Sequence, residues 1–369
     1  MRKNRDRKQK NKLDLFGRKV SSKRLQSGSF SKLTRKKPWK ARKVVSEIRV
    51  IAPSILNFYK PKHFGPTNTF IQNLQKAIKQ AHNQKNTKVS ICFRSTNLIT
   101  AAAAISLFSE TDRSVKKFPN VNFSVVKPPK TLLSKKDRTP FPLVDSVLNR
   151  LGFYELLGQP SRHLRELASV RCWKHAVGRV ADGEVAASLI EQAKEAGIDT
   201  NILYRSSLEA LANAVEHAYS QEIASKADLT DNRWWMFIAI LNGRLVILIS
   251  DLGHGIPNTL EKTQPPEVLR KIWGLLGGKA TTDCKIIEAS TLVKRTRTQK
   301  QNRGKGGKDL TSVIDSHPGS TLTIFSGHGV YQYKGTHALK RGYAFETRSP
   351  INGTIVEWSI PIANDLDKI

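Results

Sequence analysis

Residues 245–257 have the sequence LVILISDLGHGIP. The five apolar residues at 245–249 predict a buried strand, and Asp251 comes immediately after its end. Gly253 and Gly255 then allow the backbone to approach a neighbouring group closely. A carboxylate between a buried strand and a glycine turn indicates a ligand site. A tight turn capped by Asp251 is the simpler alternative.

The segments before this stretch add a hairpin and a polar helix. Residues 234–240 predict a second apolar strand, and Asn242-Gly243 between the two strands is a strong hairpin signal. Residues 201–220 predict a helix in which Glu209, Asn213 and His217 are spaced four apart and share one face. A carboxylate, an amide and an imidazole in one row are unusual for plain packing, although a solvated polar face would have the same pattern.

A third, glycine-rich and basic cluster follows about fifty residues later. It consists of Arg303, Gly304, Lys305, Gly306, Gly307 and Lys308. The cluster opens a predicted helix that runs to about residue 315, and exposed amides at a helix start beside basic side chains favour an anion site. It is not a Walker A loop, because Asn302 replaces the first glycine and no Ser or Thr follows Lys308. A flexible basic hinge is the alternative.

The three clusters, in this order and spacing, resemble the N, G1 and G2 boxes of the GHKL superfamily of ATP-binding domains, which includes gyrase, Hsp90-like chaperones, histidine kinases and MutL. Asn352-Gly353-Thr354 before the last strand and Pro361 after it match the terminal element of that superfamily. The likeness covers residues 165–362, and the first box is most similar to the bacterial anti-sigma-factor kinases. It implies a mixed sheet with helices on one face.

The resemblance also implies roles for individual residues. Asn213 would hold Mg²⁺, and Glu209 would orient or deprotonate the attacking water or hydroxyl. Asp251 would accept a hydrogen bond from the adenine amino group, with support from Thr354. The implied nucleotide-binding residues are Asp251, Gly253, Gly255, Ile256, Arg303, Gly304, Lys305, Gly306, Gly307, Lys308 and Thr354. The implied cofactors are therefore ATP and Mg²⁺.

Residues 258–308 correspond to the ATP lid of that superfamily. They contain 12 Lys or Arg and four acidic residues, which suits a polyphosphate but would also suit nucleic acid. In the superfamily this segment becomes ordered when nucleotide binds, so we expect it to act as a switch. Lys308 and Asp309 precede Leu310 where the superfamily usually has a small apolar residue, which leaves the exact phosphate contacts open.

The N-terminal part of the chain predicts a separate, small α/β domain over residues 46–157. Its predicted strands lie near 48–51, 88–93 and 121–126, and its predicted helices span 67–82, 98–108 and 142–157. The strand at 89–93, the segment 94–100 and the Ala-rich helix resemble the core of STAS domains, the antagonists that partner the anti-sigma kinases. Thr100 occupies the place of their phosphorylated serine but lacks the following glycine, so we expect a structural or docking domain.

Composition limits the class of protein. The 369 residues include 62 Lys or Arg and 30 Asp or Glu, a net charge of +32, and residues 1–45 hold 18 of the basic residues with two acids. This segment predicts a free basic arm that contacts nucleic acid or another polyanion, or a solubilising tail. Cys92, Cys172 and Cys284 lie far apart, which excludes a disulfide scaffold and fits a reducing cytoplasm. No apolar run approaches the 18 residues of a membrane span.

We therefore expect an α/β protein that binds ATP as a nucleotide-dependent switch, with slow Mg²⁺-dependent hydrolysis. Lid closure would alter the contact with an unidentified protein partner or with nucleic acid. One alternative is a serine/threonine protein kinase of the anti-sigma type. Another is a nucleic-acid-binding module in which ATP is structural. Members of the superfamily often dimerise, so the resemblance also leaves a homodimer open.

Overall fold

The structure is a computed structural model. It describes residues 46–84, 86–128, 143–161, 170–194, 198, 200–219, 232–241, 243–293, 307–335 and 342–362. The predicted basic arm at 1–45, together with Arg303, Gly304, Lys305 and Gly306, lies outside the described residues. For Gly307 and Lys308 the structure describes the backbone only.

Helices and strands alternate through the first part of the chain, and an antiparallel sheet dominates the second. The helices are α1 Pro61–Asn83, α2 Ala101–Lys117, α3 Leu143–Arg150, α4 Phe153–Leu156, α5 Gly183–Lys194, α6 Thr200–Glu216, α7 Ile256–Thr263, α8 Pro266–Leu275, α9 Asp283–Leu292 and α10 Gly307–Ser316. The strands are β1 Ser46–Ile51, β2 Ile55–Leu56, β3 Thr87–Cys92, β4 Leu98–Ile99, β5 Asn122–Val126, β6 Val170–Gly178, β7 Trp234–Leu241, β8 Arg244–Asp251, β9 Thr321–Tyr333 and β10 Ala344–Pro361.

The first part contains a three-stranded parallel sheet in the order β1-β3-β5 and a small parallel pair, β2-β4. The predicted α/β class is confirmed here. The helix expected over 98–108 begins instead at Ala101, because Leu98 and Ile99 pair with β2. The helix expected over 142–157 is two helices, α3 and α4, because Gly152 between them has a left-handed φ of 72°.

The second part contains a five-stranded sheet in the order β6-β7-β8-β10-β9. All four strand pairs described in it are antiparallel, so the expectation of a mixed sheet is wrong for these strands. The helical segment after β8 returns the chain to β9, which runs in the same direction as β8. These two strands do not pair with each other, because β10 lies between them and is antiparallel to both.

Both faces of the five-stranded sheet are covered, which corrects the expectation of helices on one face. Trp234, Met236 and Ile238 of β7 belong to a cluster with residues of α5, α6 and α10. Trp235 and Phe237 point to the opposite face and pack with α1 and α2. Burial on both faces explains why β7 is apolar at every position instead of alternating.

Helices α1 and α2 together form the layer between the two sheets, and α2 is its most buried part. Every residue from Ala101 to Asp112 is buried, so this helix has no solvent-facing side over three turns. It contacts α1 on one side and β7, β8 and β10 on another. The prediction of a buried, Ala-rich helix is confirmed, although the helix extends to Lys117.

Buried acidic side chains fix α2 to the second part of the chain. Asp112 forms an ion pair with Arg233 and accepts a hydrogen bond from Trp235 Nε1 at 3.1 Å. Glu110 accepts a hydrogen bond from Asn352 Nδ2 at 2.6 Å. Residues 45–369 accordingly form one compact unit with a shared core.

The sequence of residues 258–303 shows no regular period and predicts an irregular segment, but its described part contains the short helices α7, α8 and α9. Pro265 separates α7 from α8, and Gly277 with φ 77° follows α8, so no helical periodicity is long enough to stand out in the sequence. The three helices share a small apolar cluster of their own. None of the helices in the described ranges is long and apolar enough to cross a membrane.

Candidate functional site

A cavity lies between α6, the end of β8, the middle of β10, and helices α7, α9 and α10. Its volume is about 110 Å³, several times the roughly 10–15 Å³ that one water molecule needs. The residues that the sequence singled out and that line it are Glu209, Asn213, His217, Asp251, Gly255, Ile256 and Thr354. Side chains from three distant stretches of sequence therefore meet at one cavity.

Helix α6 supplies one wall of the cavity. Glu209 is only 6% exposed, and Asn213 and His217 are half-buried along the same side of the helix. A plainly solvated polar face is therefore wrong for Glu209. Ala210 and Ala214 lie between these polar residues, also line the cavity, and are small enough to leave it open.

Asp251 ends β8 and is 6% exposed. Its Oδ1 accepts a hydrogen bond from the Gly253 amide at 2.9 Å. Burial raises the pKa of Asp251 to about 7, while backbone hydrogen bonds from Gly253 and Thr354 act in the opposite direction. The carboxyl group is therefore poised between its charged and neutral forms near neutral pH.

The two glycines after Asp251 have different tasks. Gly255 has a φ of 80° that L side chains rarely adopt, so it makes the turn into α7. Gly253 does not line the cavity. A Cβ on it would lie 2.1 Å from the Ala218 carbonyl oxygen, and the His254 amide donates to that oxygen at 2.8 Å. Gly253 thus lets the loop pack on the end of the helix that carries Glu209 and Asn213.

Strand β10 places Thr354 directly opposite Asp251 in the antiparallel register. The preceding residue, Gly353, has a φ of 67°, and a Cβ on it would lie 2.2 Å from the Asp251 carbonyl oxygen. The glycine of the Asn-Gly-Thr sequence is therefore required for this close approach of β10 to the end of β8.

Sequence reasoning missed Ser326, which joins three parts of the site. Its buried Oγ accepts a hydrogen bond from the Ile256 amide at 2.9 Å, donates to the Gly353 carbonyl oxygen at 3.0 Å, and lies 3.0 Å from Thr354 Oγ1. A serine inside an apolar strand gives no sequence signal for such a role.

Sequence reasoning also missed Tyr219, which lies just after α6. Its hydroxyl donates to the Arg233 carbonyl oxygen at 2.6 Å and accepts from the Leu252 amide at 2.9 Å. It therefore connects the end of α6 to both strands of the β7-β8 hairpin. Tyr219 thus links Arg233, the ion-pair partner of Asp112, to Leu252, which directly follows Asp251.

Apolar side chains complete the cavity. Leu260 and Val293 belong to the small cluster of α7–α9, and Leu310 comes from α10. Gly307 opens α10, as the sequence predicted for this cluster. Of the remaining predicted phosphate contacts, Arg303, Gly304, Lys305 and Gly306 lie outside the described residues.

The site offers oxygen ligands but no preformed metal cluster. Within the described ranges, no group of three or more His, Cys, Asp or Glu side chains could hold a metal ion. Magnesium needs only one or two protein oxygens when phosphates and water complete its shell. The half-buried amide of Asn213 and the carboxyl of Glu209 in the same cavity fit that requirement.

The chain matches none of the protein-family models and none of the curated proteins with which it was compared.

Proposed function

We propose that this cavity binds ATP together with Mg²⁺ and that the protein hydrolyses ATP slowly as a nucleotide-dependent switch. One observation supports this above all: residues from two clusters resembling nucleotide-binding boxes, together with Thr354 of the terminal element, line one cavity around the buried carboxyl of Asp251.

Base selection would depend on Asp251. When ionised, its carboxylate accepts hydrogen bonds, as the exocyclic amine of adenine requires. Guanine presents a carbonyl at the same ring position, so it would lose a hydrogen bond and add repulsion, a cost of roughly 2–4 kcal/mol in a dry site. The apolar walls formed by Leu260, Val293 and Leu310 suit the faces of a planar ring.

The phosphate end would lie beside α6 and the start of α10. Asn213 would hold Mg²⁺, and the metal would neutralise phosphate charge. Glu209 would orient water for attack and take its proton. The N-terminus of α10 at Gly307 supplies backbone amides and the positive end of a helix dipole, both of which favour an anion.

The switch would be the α7–α9 segment. Leu260 and Val293 contribute both to the small apolar cluster of these helices and to the cavity wall. A bound nucleotide would therefore contact the core of this segment directly. The nucleotide would make different contacts with the open and closed arrangements of these helices. The resulting difference in binding free energy would shift the equilibrium between the two arrangements.

Two substitutions on α6 separate binding from chemistry. Asn213→Ala removes the metal ligand and should abolish Mg²⁺-dependent binding of a non-hydrolysable ATP analogue. Glu209→Gln keeps the size of the side chain and should bind the analogue like the native protein, while steady-state phosphate release falls on the order of 10²-fold or more. Native binding should favour the ATP analogue over the GTP analogue.

The matched control is Glu216→Gln, which changes an exposed carboxylate at the end of the same helix and should leave turnover unchanged. Normal turnover in Glu209→Gln, combined with Mg²⁺-dependent binding by Asn213→Ala, would remove α6 from the proposed role. Labelled phosphate on protein instead of in solution would select the serine/threonine kinase. ATP that co-purifies without turnover would select the structural role.

A further inference from the structure

Helix α1 has one buried side and one long exposed side. The buried side carries apolar residues such as Phe70, Leu74 and Ile78. The exposed side carries a row of residues that lie within about 40° of one line along the helix, at 100° per residue. The exposed residues of that row are Lys62, Pro66, Thr69, Asn73, Lys76 and Gln80.

The exposed side of α1 contains no negative charge. The 23 residues of this helix include no Asp or Glu. Lys62, Lys76 and Lys79 are exposed and form no ion pair with the part of the chain that the structure describes. Unlike most surface helices, α1 therefore presents uncompensated positive charge, at Lys62 near its start and at Lys76 and Lys79 near its end, with Lys62 and Lys76 about 21 Å apart along the axis at about 1.5 Å per residue.

The acidic residues near α1 are directed away from its exposed side. Residues 46–128 contain three acids, Glu47, Glu110 and Asp112. Glu110 and Asp112 are buried on α2 and bonded there, and Glu47 on β1 lies 3.1 Å from the Lys88 ammonium. The surface of this region consequently repels cations and attracts anions.

The surface is also concave in two places along α1. One shallow groove lies between α1 and the end of β1, lined by Pro66, Thr69 and Asn73 with residues 51–53. A second is lined by Lys76, Lys79, Gln80 and two further amides at the end of the helix. Phe118, which follows α2, packs on His82 near the end of α1 with ring centres 4.8 Å apart.

We propose that this exposed side of α1, defined by Lys62, Thr69, Asn73, Lys76, Lys79 and Gln80, binds the phosphodiester backbone of nucleic acid without base specificity. Lysine, threonine, asparagine and glutamine are the usual side-chain donors to phosphate oxygens. This row of donors, with Lys79 about 60° around the helix from Lys76, suits a linear polyanion, whose charge repeats about every 3.4 Å per strand in duplex DNA. An acidic protein would more often require an apolar anchor; the row itself has no large apolar side chain, and the exposed Ile51 lies beside it in the first groove. The surface is separate from the nucleotide cavity.

The test uses the full chain and the triple variant Lys62→Gln, Lys76→Gln, Lys79→Gln. Binding of a labelled 20-base-pair duplex, and of single-stranded DNA and RNA of the same length, is measured by fluorescence anisotropy over a range of salt concentrations. Each lost phosphate contact should reduce the slope of log K against log salt by about 0.9 for the duplex, so the slope should fall by about 2–3. The ranking of the three probes identifies which nucleic acid the surface prefers.

The matched control is Arg94→Gln, Arg179→Gln, Lys194→Gln, which removes the same charge from exposed positions outside α1 and outside residues 258–308. This control and the variant Lys62→Arg, Lys76→Arg, Lys79→Arg should keep the native slope of log K against log salt. A native slope in the triple glutamine variant would overturn the proposal. An equal decrease in both glutamine variants would also overturn it, because net charge alone would then explain the effect. Phosphate release should be native in all variants, so failure here is distinct from failure of the ATP proposal.

Discussion

At the scale of single residues, Asp251 is a carboxyl group held where water hardly reaches. Its ordinary pKa of 3.8 rises to about 7 because burial disfavours the charged form more than the two backbone hydrogen bonds favour it. Near neutral pH, the charged and neutral forms of the Asp251 carboxyl group are therefore similarly populated. A ligand that needs one of the two forms will shift this balance.

The affinity for adenosine should rise with pH. The amine of adenine requires the ionised carboxylate, which is abundant above pH 7 and scarce below it. With a pKa of about 7, the ionised fraction falls from about nine-tenths at pH 8 to about one-tenth at pH 6, so binding should weaken roughly tenfold. Adenosine is the right probe because it carries no phosphate that titrates in this range, and calorimetry provides the dissociation constant.

Asp251→Asn is the control for the other titratable groups at the cavity, Glu209 and His217. Its affinity should be lower than native and flat between pH 6 and 8. Native affinity that increases as the pH falls would mean that the neutral carboxyl group binds the ligand, in contradiction to the proposed base contact.

Much of the site was predictable from the sequence because its polar residues stand in short, recognisable patterns. Spacing alone placed Glu209 and Asn213 on one helix face, and glycines marked the turn after Asp251. The contributions of Ser326 and Tyr219 could not be predicted, because each depends on contacts between segments that are distant in the chain. The use of Gly253 to pack against Ala218 was missed for the same reason.

At the scale of elements, α2 is the helix on which the fold depends. Alanine at 101–104 lets the layers on either side approach it closely, and the two acids at its end bond to partners in another part of the chain. A buried ion pair contributes little net stability compared with apolar packing, but removing one partner leaves the other charge buried and unpaired.

Asp112→Ala should therefore lower the free energy of unfolding by roughly 3–5 kcal/mol, because Arg233, 4% exposed in its side chain, would lose its counter-charge. Denaturant unfolding followed by circular dichroism measures the change. The control is Glu47→Ala, which breaks a partly exposed pair with Lys88 and should cost less than about 1 kcal/mol. Equal losses in the two variants would show that the buried pair has no special role.

The elements were predicted well where period or turn chemistry was strong. The β7-β8 hairpin and the long amphipathic α1 follow directly from their patterns. The short helices α7–α9 were missed, because Pro265 and Gly277 divide the segment into pieces too short to show a period. Strand direction was also mispredicted, since no local pattern reveals that β10 lies between β8 and β9. The apolar runs in β7 and β8 did indicate buried strands, but not that helices cover both faces of their sheet.

At the scale of the whole molecule, the positive charge is divided equally between residues 1–45 and the rest of the chain. Residues 1–45 carry 18 basic and two acidic residues, half of the net charge of +32. If this segment contacts nucleic acid, as the sequence predicts, its removal should weaken binding to the duplex at 100 mM salt on the order of 100-fold and flatten the salt dependence.

Comparison of residues 46–369 with the full chain by anisotropy measures both quantities. The truncated protein should retain a smaller slope, contributed by α1, that disappears when Lys62, Lys76 and Lys79 are also replaced. A truncated protein with the full native slope would assign the N-terminal segment to solubility instead of binding.

The position of α2 between two sheets also limits how this chain can be rearranged by recombination. A domain that packs only its own side chains can be moved into another gene intact, whereas the five-stranded part here would expose Trp235 and Phe237 if it were moved without α1 and α2. In a chain that carries the same three clusters but lacks a helical layer like α1 and α2, one face of the sheet would meet water. The strand equivalent to β7 must then have polar residues at alternate positions. The polarity of that strand therefore indicates whether a given protein inherited the two parts together.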